Sequence, residues 1–143
     1  MPAEDVPPPM VSPMPPTPTA DVVVAAMPVL RVENAERSVR FYCGRLGFRQ
    51  DWWHQASPEA PATVSVSRGG ASLILTERTD LGSEGQVCVW TIELATLFAE
   101  WGNVEDVALE HGPTAMPWGF TEIAFRDPDG NSIRVAQPPG SQP

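Results

Sequence analysis

Apolar residues recur along the chain in two rhythms, and their order is nearly the same in both halves. Val22 to Val32 is strongly β-prone, with Pro28 marking an edge or a break. Ala35, Val39, Tyr42, Cys43 and Leu46 then follow helical spacing, with Asn34 placed to cap the helix and Gly47 to stop it. Phe48–His54, Thr63–Arg68 and Ala71–Thr76 read as strands, the last two joined by Gly69-Gly70. In the second half, Val87–Ile92 reads as a strand. Leu94, Leu97, Phe98 and Trp101 follow at i, i+3, i+4 and i+7, the stripe of a helix. A short strand at Val107–Leu109 and a hairpin over Thr121–Val135 complete the series.

This order is β-α-β-β-β twice, over about residues 21–78 and 85–138, and it places the chain in the α+β class. Residue identity between the halves is weak, so the repeat rests on the order of elements.

The hairpin turn, Asp127-Pro128-Asp129-Gly130, fixes a register. Pro128 suits the second position of a type I turn, and Gly130 can adopt the left-handed conformation of a bulge. Phe125 then pairs with Ile133 and Ile123 with Val135, so all four apolar side chains share one face. Arg134 falls on the other face, across from Ala124 and diagonal to Glu122 and Arg126. Glu122 is its nearest expected counter-ion.

Composition divides the chain further. Residues 1–20 are dense in proline and too poor in apolar surface to offset ordering entropy, so an unstructured tail is expected there, with another at 139–143. The domain between them, 21–138, has a normal supply of core residues, since 42% of the chain is hydrophobic. A net charge of −9 argues against a nucleic-acid partner, because phosphate binding needs clustered cations. No apolar run approaches a membrane span, and the start lacks the basic residues of a signal peptide, so a cytoplasmic location is expected. Cys43 and Cys88 have no metal-binding spacing and fit a reducing compartment.

Five tryptophans are the main candidates for ligand chemistry, since aromatic faces stack on planar groups and attract cations. Trp101 sits on the helix stripe and is expected in the core. Trp52 and Trp53 are adjacent on a strand, so one should point inward and the other outward. Trp118 follows Pro117 outside any periodic run and is a ligand-contact candidate, as is Trp90 on its strand. No Ser/His/Asp or Cys/His arrangement and no glycine-rich phosphate loop is visible.

The stretches "MPVLRVENAERSVRFYCGRLGF" and "FRDPDGNSIRV" resemble the vicinal oxygen chelate superfamily over roughly Val22 to Gln137. The resemblance implies paired βαβββ modules whose curved mixed sheets enclose a cleft, often completed by a dimer. Catalytic relatives hold a divalent metal on the cleft strands. The matching positions here are Met27, Arg134, Gln86 or Val87, and a fourth near Ile74, of which Gln86 alone could coordinate. A permanent cation at Arg134, where relatives place a glutamate, would repel a metal. His54 and His111 fall outside those strands.

"MPVL", "VWTIELATLFAEW" and "PWGFTEIAFRDPDGN" are more similar to the metal-free bleomycin-resistance branch, which implies Pro28 as the first-strand crossover and Trp90 and Trp118 in the cleft. The expectation is a non-catalytic homodimer with no cofactor and no metal. It would sequester a cationic or aromatic antibiotic-like small molecule through Trp118, Trp90, Trp52, Trp53, Arg134 and Glu122. A metal-dependent glyoxalase or dioxygenase with an atypical ligand set is the alternative. A third is a scaffold acting through its proline-rich tail.

Overall fold

The computed structural model describes residues 22–140; the proline-rich segment 1–20 and the final residues 141–143 lie outside the described residues. The elements run β1 (Val29–Arg31), α1 (Ala35–Gly44), β2 (Arg49–Gln55), β3 (Ala62–Arg68) and β4 (Ala71–Thr76). They continue as β5 (Gln86–Trp90), α2 (Leu94–Trp101), β6 (Leu109–Ala115), β7 (Thr121–Arg126) and β8 (Ser132–Gln137). Each half forms one mixed four-stranded sheet, ordered β1-β4-β3-β2 and β5-β8-β7-β6. In each, the first strand runs parallel to the last and the others pair antiparallel. The expected pair of βαβββ modules is therefore the fold.

Local chemistry explains the helices. The Asn34 side chain accepts from the Arg37 amide at 2.9 Å and caps α1. Gly47 follows with φ of +80°, the left-handed turn that releases the chain toward β2. No side chain at Glu93 caps α2; the Leu94 amide instead donates to Gln137 Oε1 at 2.8 Å, so the end of β8 supplies the cap.

Three expectations are corrected. The first strand is three residues long, and 22–28 lie outside any strand, with Val22–Val24 exposed. Parallel pairing with β4 begins at Val29, just after the Pro28 carbonyl accepts from the Ile74 amide at 2.9 Å. The second module's first strand starts at Gln86 and stops at Trp90, short of Ile92. The strand expected at Val107–Leu109 lies instead at Leu109–Ala115, while Val107 is buried in the preceding turn. Gly112 and Pro113 disguise it, and as an edge strand β6 absorbs them with two register shifts against β7.

The hairpin register is the one the turn dictates. Ile123 faces Val135, Phe125 faces Ile133, and all four are buried. The Asp127 amide donates to the Asn131 carbonyl at 2.9 Å, and Gly130 has φ of +86°.

One core serves both modules. Phe41 and Tyr42 of α1, Trp101 of α2 and Phe125 of β7 meet in edge and tilted ring contacts, within a single cluster spanning both sheets. The hairpin turn fastens the halves together. Asp127 accepts from Tyr42 Oη of α1, while Asp129 accepts from Arg37 Nη2 and the Glu33 amide, all at 2.8 Å. Asn131 donates to the Arg31 carbonyl of β1 and accepts from the Gly85 amide of the linker. Asp127 also accepts from the Asp129 and Asn131 amides within the turn, whereas Asp129 reaches across to α1.

Candidate ligand-binding site

With Val87, Ile133, Val135, Ile123 and Phe125 turned to the core, the opposite face of the second sheet presents the alternate residues. Two rows cross it: Cys88, Arg134, Ala124 and His111, then Trp90, Ala136, Glu122 and Thr114. The two alanines at its centre, Ala124 and Ala136, are buried, whereas Cys88, Trp90 and Trp118 are exposed.

Glu122 is its electrostatic centre and is only 2% exposed. Its Oε1 accepts from Arg134 Nε at 2.9 Å and from Arg134 Nη2, and its Oε2 accepts from Trp118 Nε1 at 3.2 Å. Both oxygens of a buried carboxylate are thus satisfied, as burial of a charge requires. Arg126, the other diagonal neighbour of Arg134, turns away to Glu110. Trp118 is carried by a tight turn closed by Gly119 N to Met116 O at 2.9 Å and Met116 N to Phe120 O at 2.7 Å. Gly119 has φ of +99°, a conformation that favours glycine. The turn holds the indole with its ring centroid 5.9 Å from the Arg134 guanidinium carbon. Trp118 is 57% exposed and Trp90 68% exposed, and Trp90 meets Phe120 edge-on at 5.4 Å.

Trp118, Trp90, Arg134 and Glu122 therefore share one face. Trp52 and Trp53 do not join them; both lie on β2 of the first sheet. Alternation from buried Phe48 would send Trp52 inward. A register shift between Gln50 and Trp52 inserts Asp51 as an extra residue and reverses the phase. Trp53 opposes buried Val64 and, partly buried, packs against the core. Trp52 opposes Ser65 on the outer face and is 45% exposed. Asp51 accepts from Ser67 Oγ and Arg49 Nε, both at 3.0 Å; these bonds hold its carboxyl below the usual carboxylate range.

Cys88 and Phe120 were not among the sequence candidates. Alternation with Trp90 marks Cys88, and adjacency to Trp118 marks Phe120. Burial, then the Glu122 charge, raises the Cys88 thiol above its ordinary value. A groove of about 800 Å³ opens between the β3–β4 turn and the outer edge of β5, walled by Pro28, Leu73, Val87, Trp90, Ile92 and Leu97.

The residues at the metal positions do not fit a divalent cation. Met27 lies outside any strand, Ile74 is apolar, Gln86 is exposed at the start of β5, and Arg134 is committed to Glu122. Among the described residues, no three His, Cys, Asp or Glu side chains converge. No described helix is long and apolar enough to cross a membrane.

A family model described as glyoxalase superfamily protein matches residues 19–140. The chain belongs to the glyoxalase superfamily. No curated protein matches it significantly. Among solved structures, a bleomycin-binding protein complexed with bleomycin is 24% identical, with a TM-score of 0.64, 80% of this chain covered and 98% of that one. The bleomycin resistance determinant encoded on transposon Tn5 is 24% identical, with a TM-score of 0.65 and coverage of 81% and 98%. TnmS3, an antibiotic binding protein from Streptomyces sp. CB03234, is 22% identical, with a TM-score of 0.62 and coverage of 82% and 99%. These likenesses establish the fold.

Proposed function

We propose that this protein is a non-catalytic, metal-free binder that sequesters an aromatic antibiotic-like small molecule, as a homodimer in the cytoplasm. The observation that carries the reading is the outer face of the second sheet. There two exposed indoles, Trp118 and Trp90, flank the Glu122–Arg134 pair. Exposed tryptophan is costly in water, and stacking on a planar ligand recovers that cost. Nothing on the face is arranged as nucleophile and base, which supports binding over turnover.

The face is open in a single chain, and two features support a second copy completing it. β5 is an edge strand beside the 800 Å³ groove, and the segment 22–28 carries exposed Val22, Val23 and Val24. An apolar arm and an unpaired strand edge are complementary. Trp52, on the first sheet of the other copy, is then available as an opposing aromatic wall.

Tryptophan fluorescence titrated with bleomycin-type glycopeptides and with aromatic antibiotics tests the function. Saturable quenching at one site per chain, lost in Trp118→Ala, is expected. Stoichiometric metal copurifying with the protein, lost in Gln86→Ala, would instead establish the metal-enzyme reading. Light scattering after size exclusion should give twice the chain mass, and a chain beginning at Pro28 should run as a monomer.

A further inference from the structure

Arg134 occupies the middle of the proposed binding face, and its hydrogen bonds are unevenly spent. Nε and Nη2 are both turned to Glu122, whereas Nη1 donates to no group among the described residues and is not buried. Its neighbours in register, Cys88 and Ala124, are short, and so is Ala136 on the adjacent row. Ala124 and Ala136 are buried, whereas Cys88 is exposed, so a planar ligand lying over Cys88 would reach Nη1 without displacing a bulky side chain. Glu122, by contrast, offers nothing to a ligand, because it is buried and both oxygens already accept. The face of Trp118 turned to Arg134 already meets a cation, and a ligand cation placed beside it would also meet the guanidinium charge.

Resting on the binding function proposed above, we infer that Arg134 is the specificity determinant of this face, selecting planar aromatic molecules that carry an anionic oxygen, a carboxylate or phenolate, over cationic ones. The aromatic walls hold the ring system, and Nη1 donates a charge-assisted hydrogen bond to the oxygen. The negative charge of the whole chain acts at long range and is screened by salt, so it sets encounter rates more than the final contact.

Three probes of one shape decide the matter: 2-naphthoate, 2-methylnaphthalene and 2-naphthylmethylammonium, each titrated into the full chain with tryptophan fluorescence as readout. The naphthoate should bind about tenfold or more tighter than methylnaphthalene, as a charged hydrogen bond allows, with the ammonium weakest. The double variant Arg134→Met/Glu122→Leu leaves no buried charge behind, so it keeps the fold while removing the donor. In it the three affinities should converge on that of methylnaphthalene. Tighter binding of the ammonium, or a naphthoate preference that survives the double variant, would overturn the role of Arg134 and leave the aromatic site standing. Failure of all three probes to bind would overturn both.

Discussion

The Tyr42 hydroxyl lies 2.8 Å from the Asp127 carboxylate, and this buried bond ties the first module's helix to the second module's hairpin. Tyr42→Phe removes a donor to a charged acceptor and should cost about 1.5–3 kcal/mol in urea unfolding. Asp127 keeps its bonds from Asn131 and the Asp129 amide, so the fold should survive.

The same bond predicts alkaline behaviour. Burial first, then the Asp127 charge, pushes the Tyr42 phenol far above its ordinary value. A raised folded pKa contributes stability that is complete below the unfolded value of about 10 and is lost as pH climbs past it. Tyr42 is the chain's single tyrosine, so tyrosinate absorbance reports on it alone. Absorbance should rise only together with unfolding; ionisation at about pH 10 in the folded protein would contradict the buried bond.

Arg134→Met strands the Glu122 carboxylate in a site where it is almost fully buried. A loss of about 3–5 kcal/mol is expected. Glu122→Leu in the same chain should restore most of it, since a buried pair replaced as a unit is often nearly neutral. Chemical denaturation of the single and double variants measures both, and additive losses would contradict the pairing.

The two adjacent tryptophans should respond unequally. Trp53→Ala leaves a gap against Val64 and should cost about 2–4 kcal/mol, whereas exposed Trp52→Ala should change stability by about 1 kcal/mol or less. The reverse order would place the register shift at Asp51 elsewhere.

Cys88 offers a probe of the binding face. Its raised thiol pKa keeps it protonated near neutrality, so alkylation by iodoacetamide should be slower than for a free thiol and should accelerate with rising pH. A bound aromatic ligand should shield Cys88 and leave Cys43, which lies on α1, unaffected. Reaction of Cys88 at the free-thiol rate near neutral pH would contradict the environment described.

The legible parts of the sequence were those governed by short-range rules. The Asn34 cap, the helix stripe ending at Trp101 and the Asp127–Gly130 turn fixed elements and register, and the turn's parity put Arg134 beside Glu122. What parity could not supply was any interruption of it. The extra residue at Asp51 exchanged the roles of Trp52 and Trp53, and the two shifts in β6 hid a strand behind Gly112 and Pro113. Trp118 stood out by lacking a period, but its bond to Glu122 depends on how the 116–120 turn folds back. The length of β1 depends on which strand neighbours are present, which no local pattern states.

The fastening of the hairpin turn to α1, β1 and the linker has a consequence for the repeat itself. The two halves share a shape, yet the groups that finish each lie in the other: Asp127 and Asp129 bind residues of α1, and Asn131 binds the Arg31 carbonyl. A fragment ending at residue 78 would leave the Tyr42 hydroxyl buried in form but without its acceptor. Its counterpart would keep carboxylates with no cation or phenol to meet them. Duplicated in outline, the halves are obligate complements, and mixing the two fragments should yield folded protein where neither does alone.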